Sequence, residues 1–220
     1  MSGQLTLAID ASTYRGTVAV LDGDTLLATV EVAMRGEREE RLMPAVASAL
    51  GAAGAAVSDL GRVVAGGGPG SFTSLRIGGA IAKGICSARG IPLFAMPSLA
   101  LLVAGANKVL GDGMYVAILD AMRGDVHAAS LDVRHGRVVS IGDLQLVSRS
   151  GLPALAARDA ARVIGLGEEV DAMPHARGLA LLDAPLVSEV SLATWEPMYG
   201  RLAEAQVKWE AEHGRSLTTG

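Results

Sequence analysis

The apolar positions fall into short, nearly continuous runs separated by glycine, aspartate and serine. Residues 5–9 form one such run, ending in Asp10-Ala11-Ser12-Thr13. Residues 17–21 form a second, and Asp22-Gly23-Asp24 marks a hairpin turn into a third strand at 25–32. The opening therefore reads as an antiparallel meander. A charged start at 37–40 leads into an apolar helix over 41–53, with Pro44 tolerated in its first turn and Gly54 as its stop. Ser58-Asp59 turns the chain into a strand at 62–65. A second helix is predicted over 74–89, stopped by Gly90, followed by a strand at 91–95 and a short helix from Leu99 behind Pro97-Ser98.

After a polar, glycine-containing stretch at 105–113, the pattern starts again. A strand at 115–119, an acidic loop at 120–124, a strand at 126–133, a turn at 134–136 and a strand at 138–141 repeat the order of the first unit without repeating its residues. A helix at 153–158, a strand at 162–165, a less defined stretch and a C-terminal helix over 196–213 complete the reading. We expect an α/β chain of two units, 1–104 and 105–220, built on a duplicated plan.

Composition narrows the function. Half of the 220 residues are apolar and only 3% are aromatic, so the core is built from Ala, Val, Leu and Ile. Net charge is −4 with a pI near 5.6, and no basic run occurs, which argues against RNA or DNA binding by this chain alone. Cys86 is the only cysteine, which excludes a disulfide framework and a cysteine-rich zinc site; its apolar helix suggests a buried thiol. The N-terminus lacks a signal-peptide pattern, and no apolar run nears the roughly 20 residues of a membrane span. The expected location is the cytoplasm. The four histidines are scattered with no i, i+4 pair, so no metal site is expected.

The densest signal is the run from Val64 to Gly79. A strand enters Gly66-Gly67-Gly68-Pro69-Gly70, and Ser71, Thr73 and Ser74 open a helix. Glycine permits positive φ and close backbone approach, and a helix start presents unpaired N–H groups. No lysine follows the glycines, so this is not a Walker loop. Thr73 stands where a dinucleotide fingerprint needs its third glycine. Pro69 and Thr73 flank Gly70-Ser71-Phe72, which excludes a nucleophile elbow. A tight strand-to-helix turn, with glycine for geometry alone, is the plain alternative.

Four segments in order carry a resemblance: Ile9-Asp10-Ala11-Ser12-Thr13; Gly68-Pro69-Gly70-Ser71-Phe72-Thr73-Ser74-Leu75-Arg76-Ile77-Gly78; Asp120-Ala121-Met122-Arg123-Gly124-Asp125-Val126; and Pro197-Met198-Tyr199-Gly200-Arg201. Together they resemble the bacterial TsaB (YeaZ) family of tRNA threonylcarbamoyladenosine biosynthesis proteins. The resemblance implies an actin-like (ASKHA) duplicated fold with a shortened second half. It implies a non-catalytic scaffold or activator subunit that binds the TsaD-type catalytic paralogue. With a TsaE-type ATPase, that complex transfers threonylcarbamoyl to N6 of adenosine 37 in tRNA. It further implies a homodimer in the absence of partner, contact with tRNA only through the complex, no membrane, and no cofactor of its own, with ATP or ADP at the complex interface. The competing reading is a stand-alone actin-like ATP-dependent kinase or a peptidase; a third is a homodimeric binding module outside tRNA modification.

Within that frame no catalytic residue and no metal ligand are assigned. Asp10, Ser12, Gly68, Gly70, Ser71 and Thr73 form the candidate nucleotide loop, although Ala11-Ser12-Thr13-Tyr14 lacks the glycines of a phosphate hairpin. Asp120 and Asp125 read either as paired carboxylates or as a solvated acidic turn, the latter preferred. Ser71, His127 and Asp120 have the residue types of a triad, but spacing does not bring them together. Both N-terminal helices carry apolar bands wider than one sheet contact requires. Core packing or a partner would each account for them, and the resemblance selects the partner. Its expected face is Leu42, Met43, Val46 and Leu50 with Arg76, Ile77, Ile81 and Ile85.

Overall fold

The computed structural model describes residues 5–35 and 39–199. Two mixed sheets stand back to back around one short helix. In the first, β1 (Leu5–Asp10), β2 (Arg15–Asp22) and β3 (Thr25–Ala33) form the antiparallel meander, and β4 (Leu60–Gly66) and β5 (Leu93–Met96) add to β1 in parallel. The second repeats the plan. Strands β6 (Gly113–Asp120), β7 (Asp125–Arg134) and β8 (Arg137–Ile141) form the meander, and β10 (Arg162–Gly165) and β11 (Val170–Asp171) follow β6 in parallel. The orders β3-β2-β1-β4-β5 and β8-β7-β6-β10-β11 coincide, which is the duplicated actin-like α/β fold.

The second unit is the shorter one. Where α1 (Leu42–Ala52) and the 18-residue α2 (Phe72–Arg89) serve the first sheet, the second has, among the described residues, the seven-residue α4 (Leu152–Arg158), and a tight turn stands in place of a helix between β10 and β11.

Covering both faces of a sheet explains the near-continuous apolar strands. Along β1 and β2 the residues alternate between two cores. Leu7, Ile9, Val18 and Val20 face α1 and α2, while Ala8, Ala19 and Leu21 face the other sheet. The inner layer is filled by α3 (Ser98–Ala104), all seven residues of which are buried. Alanines such as Ala8, Ala19, Ala117 and Ala129 leave it room. Cys86 faces the core of α2 and is fully buried, its thiol 3.5 Å from the Pro92 carbonyl.

The predicted elements are largely present, with instructive differences. Helix α2 starts two residues early, at Phe72, because Ser71 with extended backbone already serves as the N-cap. Helix α1 takes its first N–H groups from outside the helix: Glu40 accepts from Leu42 and Met43. Strands β9 (Gln145–Ser148), β11 and β12 (Ser188–Val190), of four, two and three residues, are absent from the sequence reading. Strand β12 pairs antiparallel with β5, so the chain returns to the first sheet near its end. Residues 196–199 of the expected C-terminal helix are irregular, and its remainder lies outside the described residues, as do Gly36, Glu37 and Arg38 of the charged helix start.

Residues 175–183 tie the halves together. The Ala176 N–H donates to Thr17 Oγ1 at 3.0 Å, the Arg177 guanidinium donates to the Gly105 carbonyl, and Arg137 of β8 reaches both Asp183 and Asp24 of the first sheet. His175 is buried beside Glu31, Nε2 to Oε1 3.2 Å, and its Nδ1 accepts from the Arg177 N–H. Burial and the Arg177 charge outweigh Glu31 and hold its pKa down to about 4, so the imidazole is neutral. A native pKa below the unfolded value of 6.5 means that His175 costs no stability above pH 6.5 and progressively destabilises the fold as pH falls toward 4. Thermal midpoints across that window are expected to fall for the natural chain and to fall less for His175→Gln. Equal slopes would remove His175 as the cause.

Candidate functional site

The glycine loop is locked by hydrogen bonds on both sides. Its Gly67 N–H donates to the Met96 carbonyl at 2.7 Å, Gly68 N–H to Ser98 Oγ at 3.1 Å, and Ser71 N–H to the Ser12 carbonyl at 2.8 Å. The Gly67 carbonyl accepts from the Met198 N–H at 2.8 Å. Behind the loop lies Asp10, 1% exposed. Its Oδ2 accepts from Ser98 Oγ at 2.6 Å and its Oδ1 from the Ser12 hydroxyl and N–H at 2.7 and 3.1 Å. Burial pushes the Asp10 carboxyl up against the opposing pull of these bonds. Asp10 thus joins the turns after β1, β4 and β5 from beneath.

The glycines are required by what lies against them. A side chain at Gly70 would run into the Ser12 backbone, and one at Gly68, whose φ is +87°, into the Met198 carbonyl. They serve close packing of backbone on backbone; Gly68 is buried by it, while Gly70 stays half-exposed.

Outside this knot a cleft of about 1000 Å³ opens between the halves. From the first half it is lined by Ser12, Thr13, Tyr14, Arg35 and the start of α2; from the second by the β6–β7 hairpin, His127 and Arg149. Of the loop residues expected to act together, Ser12, Gly70, Ser71 and Thr73 line the cleft, whereas Asp10 and Gly68 sit behind it. Ser71, His127 and Asp120 do share the cleft, a proximity that only the fold creates. The Ser71 hydroxyl accepts from Ser74 Oγ at 3.1 Å, and Asp120 Oδ1 accepts from the Met122 N–H at 3.1 Å. Among the described residues no group of three metal-ligating side chains occurs.

The expected partner face divides. Leu42, Val46, Leu50 and Ile85 are buried in the core between the helices and the first sheet. Ile77 and Ile81 are half-buried against the same core, and Met43 and Arg76 are exposed. Also exposed, and outside the expected face, are Pro44, Ala47, Ser48, Gly51 and Ala52 on α1 and Thr73, Ala80, Gly84, Ser87, Ala88 and Arg89 on α2. A signal was present in the complete absence of charge from α1. The segment 195–199, of which the sequence reading singled out Pro197-Met198-Tyr199 as part of a motif, runs back along α2, a place the sequence does not show. Trp195 and Pro197 lie at Gly79, Lys83 sits over the Trp195 ring, and Tyr199 meets Phe72 with centroids 4.5 Å apart.

Residues 31–144 match the family model described as TsaD, tRNA N6-adenosine threonylcarbamoyltransferase. The chain is 32% identical to the tRNA threonylcarbamoyladenosine biosynthesis protein TsaB of Bacillus subtilis, over 92% of this chain and 96% of that protein. It is 34% identical to the TsaB of Escherichia coli over 56% of this chain and 53% of that protein. Among solved structures, YeaZ from Pseudomonas aeruginosa superposes with a TM-score of 0.67 at 28% identity, covering 82% of this chain and 90% of that one. A structure described as an uncharacterized protein with similarity to peptidase YeaZ from Pseudomonas aeruginosa superposes with a TM-score of 0.72 at 25% identity, covering 91% and 100%.

Proposed function

The chain belongs to the TsaB (YeaZ) family of tRNA threonylcarbamoyladenosine biosynthesis proteins, and we propose that it serves there as a non-catalytic subunit that docks on the TsaD-type paralogue. One observation carries this reading. The outer face of α1 is uncharged, and that of α2 carries Ala80 and Gly84 between the exposed Arg76 and Arg89; Gly84 sits in the interior of α2, and among the described residues no atom lies within 4 Å of where its side chain would begin. An interior helical glycine costs about 1 kcal/mol relative to alanine. No contact among the described residues repays that cost, whereas close approach of a partner helix would.

The family model that spans α1 and α2 is that of TsaD, so a partner built on the same plan would present a like pair of helices. Two such pairs can meet about a pseudo-twofold axis, and a second copy of this chain can take the same place when the partner is absent. Arg76, at the N-terminal end of α2, supplies a charge at the rim. The loop chemistry supports a positioning role. Asp10, the carboxylate nearest the glycine loop, is engaged on both oxygens and lies behind the cleft. In this reading a TsaE-type ATPase joins the same complex in the cytoplasm, tRNA is met only through the complex, and ATP or ADP bound at the complex interface strengthens it.

The test is to mix the chain with the TsaD-type paralogue of the same organism and measure mass by light scattering after size exclusion, with and without ATP. A heterodimer is expected, formed more completely with ATP. Absence of association under both conditions would sink the proposal and direct attention to turnover by the chain alone.

A further inference from the structure

We propose that the ridge where residues 195–199 lie along α2 belongs to the docking surface, and that the partner meets its two cations, Arg76 and Lys83, with carboxylates that a second copy of this chain does not offer. This deepens the docking role and rests on it, by naming the chemistry of the partner.

The chain has only seven aromatic residues: two Phe, three Tyr and two Trp. Three of them, Phe72, Trp195 and Tyr199, stand along this one edge of α2, and all three are half-buried. The interior elsewhere is built from Ala, Val, Leu and Ile. Aromatic side chains gathered at a partly exposed edge, with a cation on each side of an apolar patch, are the composition of an interface and not of this core.

The cations are positioned by the rings. The Arg76 guanidinium carbon is 5.3 Å from the Phe72 centroid, and Lys83 Nζ is 6.0 Å from that of Trp195. Phe72 is itself braced by Tyr199. Residues 76 and 83 are two helical turns apart and share a face, with the exposed Ala80 between them and Gly84 beside Lys83. A ring face holds a cation in place without neutralising it. Among the described residues neither cation forms an ion pair with a carboxylate. Arg89, at the end of α2, is turned to the Ser58 carbonyl at 2.9 Å.

The chain has few carboxylates to offer here. From Arg41 to Leu110 the sequence contains a single one, Asp59, and it accepts from the Ala56 N–H beyond the end of α1. In residues 195–199 the acid is Glu196. Burial and the Glu196 charge push the Tyr199 phenol up while Arg76 opposes them, so both charges act on that ring.

This chemistry separates a partner from a second copy. Neither α1 nor α2 contains Asp or Glu. Glu40, at the start of α1, is committed to the Leu42 and Met43 N–H groups. Two copies meeting helix on helix would bring Arg76 and Lys83 from each and no carboxylate from either pair of helices. Like charges brought together oppose that pairing. Carboxylates on the partner would instead steer its approach and fix its register.

The test is the affinity of the full chain for the TsaD-type paralogue of the same organism at about 50 and about 500 mM NaCl. The complex of the natural chain is expected to weaken by about tenfold or more with salt. Arg76→Gln/Lys83→Gln is expected to bind about tenfold or more weaker at low salt and to respond little to salt, with an unchanged circular dichroism spectrum. Arg76→Lys, which keeps the charge, is expected to keep most of the salt dependence. Self-association of the natural chain is expected to be absent or weak at low salt and to grow with salt. A complex that forms but is indifferent to salt, or is equally tight with the double variant, would overturn this inference and leave the docking role standing. Self-association that weakens with salt as the partner complex does would also overturn it. Absence of any complex with the natural chain at either salt would remove the docking role, and this inference with it.

Discussion

Gly70→Ala is expected to lower the thermal midpoint by roughly 10 °C, corresponding to a loss of about 3 kcal/mol. The added methyl group would lie inside the contact distance of the Ser12 carbonyl, carbon and Cα at once. A side-chain obstacle could rotate away, but these are backbone atoms. The Ser12 carbonyl is bonded to the Ser71 N–H, and the Ser12 hydroxyl and N–H are bonded to the buried Asp10. Accommodation must therefore move the turn after β1, the loop after β4, or both. Moving either loosens Asp10, whose buried carboxyl then loses partners it needs. Gly111→Ala is the control: its site is open and its φ is not in the left-handed region, so no change in midpoint is expected. Equal midpoints for both variants would show that the glycine loop is not held by backbone contact.

Gly84→Arg is expected to abolish the complex with the TsaD-type paralogue while leaving the isolated chain as stable as before. The site is open, and arginine is a better helix former than glycine. The side chain would stand on the outer face of α2, between Ala80 and Ala88, where a partner helix must come close. Dissociation constants from the same mixing experiment should rise by about a hundredfold or more, since a buried unpaired charge is added to the interface. Gly84→Ala separates the two effects. It is expected to stabilise the chain by about 1 kcal/mol and to weaken the complex far less than arginine. Ile81→Asp is a poorer probe, because Ile81 also packs against the core and its loss would disturb α2 itself. Full binding by Gly84→Arg would place the docking surface elsewhere.

Much of the fold was legible because local rules and the global fold agree. The turn at Gly23, the stops at Gly54 and Gly90, all with positive φ, and the strand at Arg162–Gly165 lie where the sequence reading put them. Short strands escaped for a physical reason. Ser188–Val190 joins the first sheet because β5 offers an unpaired edge, and three residues hold no period from which that could be read. The candidate site was legible in composition and not in arrangement. The same residues that a linear reading gathered as one loop are separated by the fold, with Asp10 and Gly68 behind the wall and Ser71 and Thr73 on it.

Alternation of apolar and polar residues, glycine at the turns, and the motifs of the TsaB family were enough to establish the elements, the duplication and the family, since each depends on neighbours in the chain. Which apolar stripe of α1 and α2 is buried, that the hairpin at Met122 and Arg123 meets the start of α2 across one cleft, and that Gly68 and Gly70 pack on the Met198 and Ser12 backbones depend on contacts between residues far apart in sequence. Those contacts exist only once the two sheets have packed around α3, because it is that packing that decides which faces are already covered and which remain for another molecule.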